Sequence, residues 1–150
     1  EGIKILGGTG ERFFDEVINS IDKEKLTENI EIVPYIYNMN EVLPAADIVI
    51  ARSGAVTVSE LCALGRPSIL IPSPNVTHNH QEYNARSIAK KGAAIIITER
   101  EISNNIVSDT VNKLIENKEK LNQMSYRAKE MAIADGTKRI CEIVAELSKK

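Results

Sequence analysis

Short apolar runs alternate along the chain with longer stretches in which apolar residues recur every three or four positions. The short runs cover residues 3–6, 30–35, 48–51, 68–71 and 93–98. They are rich in Ile and Val and nearly continuous in hydrophobicity, which suits strands covered on both faces. The periodic stretches predict helices over about residues 11–21, 39–45, 55–64, 80–91, 103–117, 118–134 and 137–148. This alternation implies an α/β fold, an open parallel sheet with helices on both faces and right-handed crossovers. Gly65, shortly before Pro67, stands where a left-handed residue ends a helix, and Gly92 repeats the device before the last strand.

Length and charge narrow the classes. The 150 residues make one ordinary domain, long enough to bury a core without disulfides or a structural metal, and the sequence shows no repeat, low-complexity tract or linker. A formal net charge of -2 gives no global attraction to nucleic acid or to an anionic membrane. Cys62 and Cys141 both lie in helical patterns, where a reduced thiol behaves as a small buried apolar group, which favours a reducing compartment. No run approaches the roughly 18 apolar residues of a membrane span, and the first residues do not open a signal peptide. A cytoplasmic protein is expected.

In open parallel sheets ligands bind outside the carboxyl ends of the strands, so the loops after the strands hold the candidate chemistry. The first, Gly7-Gly8-Thr9-Gly10-Glu11-Arg12, resembles a dinucleotide fingerprint only in part. That fingerprint wants a third glycine where Phe13 stands and an acid where the next strand ends in Pro34-Tyr35, and a P-loop would need Lys-Ser/Thr. A tight turn and a phosphate contact both remain open for these glycines.

The second loop, Arg52 to Thr57, carries more. Gly54 and Ala55 leave the backbone N–H groups of the next helix uncovered, and such a helix start favours an anion. Thr57 and Glu60 lie three apart on one face. Two readings stand: a capping box, Thr57-Val58-Ser59-Glu60, or a carboxylate accepting hydrogen bonds from the two hydroxyls of a ribose beside a phosphate. The third loop, Pro72 to Asn84, is long, polar and stiffened by two prolines. Its His78 and His80 are the only histidines, too few ligands for a metal site, so no metal is expected; its amide and imidazole groups suit sugar hydroxyls, the alternative being a solvated loop with Gln81 and Asn84 capping the next helix.

These blocks carry a resemblance. Ala46-Asp47-Ile48-Val49-Ile50-Ala51-Arg52-Ser53-Gly54-Ala55-Val56-Thr57-Val58-Ser59-Glu60-Leu61, then Gly65-Arg66-Pro67-Ser68-Ile69-Leu70-Ile71-Pro72, then Asn79-His80-Gln81-Glu82-Tyr83-Asn84-Ala85, resemble the donor-binding half of the MurG-type peptidoglycan N-acetylglucosaminyltransferases. The likeness runs from about Thr9 to the end of the chain, and three blocks in order are far more specific than any one.

The resemblance implies a Rossmann-like C-terminal domain of the two-domain GT-B type that binds UDP-N-acetylglucosamine without a metal or other cofactor, the helix dipole serving the leaving diphosphate. It puts the helix start at Ala55, Val56 and Thr57 on the diphosphate, Glu60 on the ribose, and His80 and Gln81 on the sugar. Tyr35 is implied as an aromatic wall for the uracil, with Ile36 contributing its backbone, and Arg52, Ser53, Gly54 and Asn84 complete the substrate-binding set. His80 departs from the glutamine of some members. No catalytic residue is assigned, because the acceptor domain and its base belong to the N-terminal half.

One departure is large. Such a domain should have six strands and open with a Gly-Gly-Ser loop on the diphosphate, whereas the pattern yields five. Aligning Thr9-Gly10-Glu11-Arg12 without gaps makes residues 3–6 the second strand and removes the central first one; aligning Gly7-Gly8-Thr9 with the phosphate loop removes the second strand instead. The first alignment is preferred. The chain thus reads as part of a longer enzyme that adds N-acetylglucosamine to lipid I at the inner face of the cell membrane, giving lipid II. Two alternatives stand beside it: a self-sufficient nucleotide-sugar-binding module, and a split transferase subunit completed by a membrane partner.

Overall fold

The computed structural model describes residues 2–22, 24, 26–103 and 105–149. The chain forms two compact units, Glu1–Val42 and Leu43–Lys150.

The first unit holds β1 (Ile5–Gly8), a 3₁₀ turn at Glu11–Phe13, α1 (Phe14–Ser20) and β2 (Ile30–Val33). The two strands are parallel, with Ile5 opposite Ile30 and Gly8 opposite Val33. β1 begins two residues later than the apolar run suggests, so Gly7 and Gly8 are strand residues rather than loop. Thr9 continues the ladder, its N–H donating to the Val33 carbonyl at 3.1 Å. Only Gly10 of this group adopts a positive φ, 80°, so the turn itself needs one glycine.

This pairing agrees with the first alignment. In the doubly wound order 3-2-1-4-5-6, a second strand pairs with the third, whereas a first strand pairs with the fourth. β1 pairs with β2, the next strand in the chain, as the first alignment requires.

α2 (Met39–Ala45) spans the boundary, and the second unit continues with β3 (Val49–Ala51), α3 (Ala55–Leu64), β4 (Ser68–Leu70), α4 (His80–Lys90), β5 (Ala94–Ile96), α5 (Ile106–Ile115), α6 (Lys118–Glu130) and α7 (Gly136–Leu147). The strands form a parallel ladder in the order β3-β4-β5. Among the described residues the strands thus form two parallel ladders, one in each unit.

β4 explains the continuous apolar run. Ile69 and Leu70, both fully buried, point to opposite faces. Leu70 joins Leu61, Cys62, Ala85, Ile88 and Ala128 on the face covered by α3, α4 and α6. Ile69 joins Ile97, Leu114 and Met124 on the face covered by α5 and α6. Helices therefore cover both faces of this ladder.

α3 and α4 end as the glycine signals predict. Gly65 has φ 63°, its N–H bonds the Cys62 carbonyl at 3.0 Å, and the Arg66 N–H bonds Leu61 at 2.9 Å. This is a Schellman closure. Gly92 repeats it with φ 79° and bonds from Gly92 to Ala89 and from Ala93 to Ile88. The cysteines divide: Cys62 is buried in the core, where desolvation raises its thiol pKa, whereas Cys141 is exposed on α7, contrary to the expectation of two buried thiols. α7 buries none of its residues, and no helix of the described residues is long and apolar enough to cross a membrane.

Candidate functional site

The loops at the carboxyl ends of β3, β4 and β5 converge through named bonds. Arg52 follows β3, donates from Nη1 to the Ile71 carbonyl just past β4 at 3.2 Å, and forms an ion pair with Glu99, which begins the 3₁₀ turn after β5. One side chain therefore ties all three strand ends together, and the resemblance-implied contact at Arg52 belongs to a guanidinium already paired with a carboxylate.

α3 starts at Ala55, with Gly54 as its N-cap and no side-chain cap hydrogen bond. The capping-box reading fails on geometry, since Thr57 is the third residue of the helix and not its cap, and Glu60 lies a full turn further in. Among the described residues Glu60 has no hydrogen-bonding or ion-pair partner. Gly54 is not demanded by the backbone: φ -62° and ψ 150° are open to any residue, and an added Cβ would meet only Thr57 Oγ1 at 3.8 Å. What glycine does secure is a bare approach to the first N–H groups of α3, which have no intrahelical acceptor. Val56 stands 72% exposed beside them, an apolar side chain left in water at the mouth of the turn.

The third loop is compact rather than loose. A 3₁₀ turn at Thr77–Asn79 leads into α4, and both His78 (φ 55°) and Asn79 (φ 52°) are left-handed. Two consecutive non-glycine residues in that region cost about 1–2 kcal/mol each and persist only where the surroundings hold them. His80 is held as well: its Nδ1 donates to the Thr77 carbonyl at 2.9 Å, which leaves Nε2 of the neutral ring as an acceptor.

Gln81 and Asn84 do not cap α4, so that form of the solvated-loop alternative fails. Gln81 Oε1 accepts from the Ser73 N–H at 2.9 Å, and Asn84 Nδ2 donates to the Ser53 carbonyl at 3.0 Å. Ser53, 0% exposed, donates its hydroxyl to the Gln81 carbonyl at 2.7 Å. The start of α4 and the β3–α3 turn are thereby fastened to each other, while the Gln81 amide, held through its oxygen, keeps its N–H groups as donors.

Sequence reasoning missed Ser73, Glu99 as the partner of Arg52, and a chain running Asn79–Glu82–Arg86. In that chain Asn79 Nδ2 donates to Glu82 Oε2 at 2.6 Å and Arg86 Nε donates to Glu82 Oε1 at 2.8 Å. The Asn79 bond and then Arg86 hold the Glu82 carboxyl below its usual range. The four-residue spacing of Glu82 and Arg86 was the available signal.

In the first unit, Tyr35 and Tyr37 are 58% and 82% exposed and meet edge to face with centroids 4.9 Å apart. Ile36 is half-buried between them in the chain and lies over Gly8, where an added Cβ would stand 3.3 Å from the Ile36 side chain. Among the described residues no three His, Cys, Asp or Glu side chains gather as metal ligands.

Comparison with known proteins gives a consistent set of similarities. The family model described as glycosyltransferase family 28 C-terminal domain matches residues 2–140. The UDP-N-acetylglucosamine–N-acetylmuramyl-(pentapeptide) pyrophosphoryl-undecaprenol N-acetylglucosamine transferase of Acetivibrio thermocellus is 44% identical over 148 residues, covering 99% of this chain and 40% of that protein. The Bacillus subtilis protein of the same name is 38% identical over 146 residues, covering 97% of this chain and 40% of its own length. Among solved structures, Acinetobacter baumannii MurG superposes with a TM-score of 0.84 at 24% identity, covering 95% of this chain and 43% of that one. The glycosyltransferase VinC, solved in complex with dTDP, gives 0.73 at 17% identity, covering 98% and 35%. The two structural likenesses speak to fold alone. The chain spans about 40% of the length of the curated relatives it matches.

Proposed function

Since the chain belongs to the glycosyltransferase family 28 C-terminal domains, we propose that it is the donor-binding half of an N-acetylglucosaminyltransferase and that its ligand is UDP-N-acetylglucosamine. The observation that carries this reading is the pairing of an uncapped start of α3 with a partnerless Glu60 one turn inside the same helix. An ionised carboxylate only accepts hydrogen bonds, and beside a diphosphate it is repelled unless hydroxyl donors intervene. A ribose supplies two. The diphosphate then meets the free N–H groups of Ala55, Val56 and Thr57, and the sugar meets His80 Nε2 and the Gln81 amide at the start of α4.

In the whole protein, the acceptor hydroxyl attacks the anomeric carbon and UDP departs. The charge that develops on the leaving diphosphate falls where the N–H groups and dipole of α3 favour it. The base and the acceptor, which we assign to lipid I, lie outside this chain, as does the surface that would seat the enzyme on the inner face of the membrane.

Calorimetric titration of the intact protein with UDP and UMP tests the reading. UDP should bind at least about tenfold more tightly than UMP, because only the second phosphate completes the contact with α3. Failure to bind UDP saturably overturns the reading.

A further inference from the structure

Ser53 is wholly enclosed, yet its side chain and its carbonyl both end on α4: the hydroxyl donates to the Gln81 carbonyl and the carbonyl accepts from Asn84 Nδ2. Its side chain is spent inside the protein and cannot contact a ligand. The lead-in to α4 is backbone held against its preference at His78 and Asn79, so this helix start is placed by tertiary bonds rather than by a relaxed loop. Gln81 adds a third bond, from the Ser73 N–H to its Oε1.

We propose that Ser53 is a positioning residue that, through Gln81 and Asn84, sets the placement of the start of α4 relative to the start of α3. The inference rests on the nucleotide-sugar reading above. Under it, the two helix starts hold the two ends of one rigid linkage, the sugar at α4 and the diphosphate at α3. A ligand whose parts are joined by short bonds tolerates little error between its two sites. Loss of the Ser53 hydroxyl therefore acts on sugar capture and leaves the nucleotide site in place. This separates Ser53 from residues that touch the donor.

The test is titration of the intact protein and its Ser53→Ala, Asn84→Ala and double variants with UDP and with UDP-N-acetylglucosamine, each variant checked by circular dichroism melting. For Ser53→Ala, UDP affinity should stay within about threefold while UDP-N-acetylglucosamine weakens about tenfold or more. Asn84→Ala should add little to Ser53→Ala, because both release the same helix start. Equal weakening of both ligands, no weakening of either, or fully additive effects overturns the proposal. If wild type binds no UDP, the nucleotide-sugar reading itself falls, and this inference with it; if UDP binds and the ratio of the two ligands is unmoved by Ser53→Ala, only the positioning role falls.

Discussion

Thr57 and Glu60 stand one turn apart on α3, but no bond closes the carboxylate of Glu60 back onto the helix start, because the helix begins two residues before Thr57. Glu60 is thus available to a ligand. Replacing it with Gln removes no internal bond, so stability should change by less than about 0.5 kcal/mol. UDP should bind about 10-fold to 100-fold more weakly, through lost charge-assisted bonds of roughly 1.5–3 kcal/mol. Wild type titrated with 2′-deoxy-UDP should lose part of the same energy, and mutation and analogue together should be less than additive. Equal UDP affinity for wild type and Glu60→Gln sinks the ribose assignment.

Gly54 and Gly65 flank α3 and should respond oppositely to the same substitution. Gly54→Ala fits its backbone angles and meets nothing closer than 3.8 Å, so the fold should be unchanged or firmer by up to about 1 kcal/mol. UDP binding should nevertheless weaken about tenfold, since the new methyl group crowds the N–H groups that the anion must reach. A variant that melts normally and binds UDP normally refutes the need for a bare helix start.

Gly65→Ala, by contrast, keeps a positive φ of 63° and pushes its methyl group to 2.5 Å from Lys129 Cγ. The lysine stem must move, and the left-handed conformation costs about 1–2 kcal/mol. The melting temperature should fall by roughly 2–8 °C, at about 2–4 °C per kcal/mol for a chain of this size. An unchanged melting temperature contradicts the Schellman assignment.

Acid should loosen the turn after β5. Glu101 closes a capping box with Thr98: the Thr98 hydroxyl donates to Glu101 Oε2 at 2.7 Å and the Thr98 N–H does so at 2.8 Å. Those bonds lower its pKa from the ordinary 4.5. A carboxyl lowered in the folded state stabilises above its unfolded value and loses that contribution as pH falls through the folded one. Urea midpoints measured from about pH 6 to pH 3 should therefore drop less steeply for Glu101→Gln than for wild type. Identical slopes exclude the contribution.

α7 presents Ile140, Ile143, Val144 and Leu147 at helical spacing, all of them more than half exposed. Apolar stripes of this kind promote association. Sedimentation of the 150-residue chain at rising concentration should show self-association, and Ile143→Glu should reduce it without lowering the melting temperature, because α7 buries no residue. A monomer at every concentration refutes this.

Much of the fold was legible because local rules agreed with the global outcome. Ile69 and Leu70 read as one apolar run since β4 is covered on both faces, and Gly65 and Gly92 marked helix ends because only glycine takes that conformation at little cost. The family resemblance was likewise legible in the loop residues between Arg52 and Glu60. Pattern could not place the end of β1, because glycine carries no hydrophobicity signal, and so Gly7 and Gly8 looked like loop. Its preference for the first alignment of the opening strand gains support from the partner that β1 pairs with.

Side-chain periodicity and turn chemistry along the chain were enough to read the element order, the parallel connectivity and the candidate loops. It took the folded chain to show that Thr57 is not a cap, that Cys141 is exposed, that Gln81 and Asn84 hold Ser73 and Ser53 rather than their own helix, and that Glu99 answers Arg52. The last two are bonds between separate segments, and the exposure of Cys141 depends on what packs against α7. A hydrogen bond such as Asn84 to Ser53 spans 31 residues and leaves no trace in either local pattern.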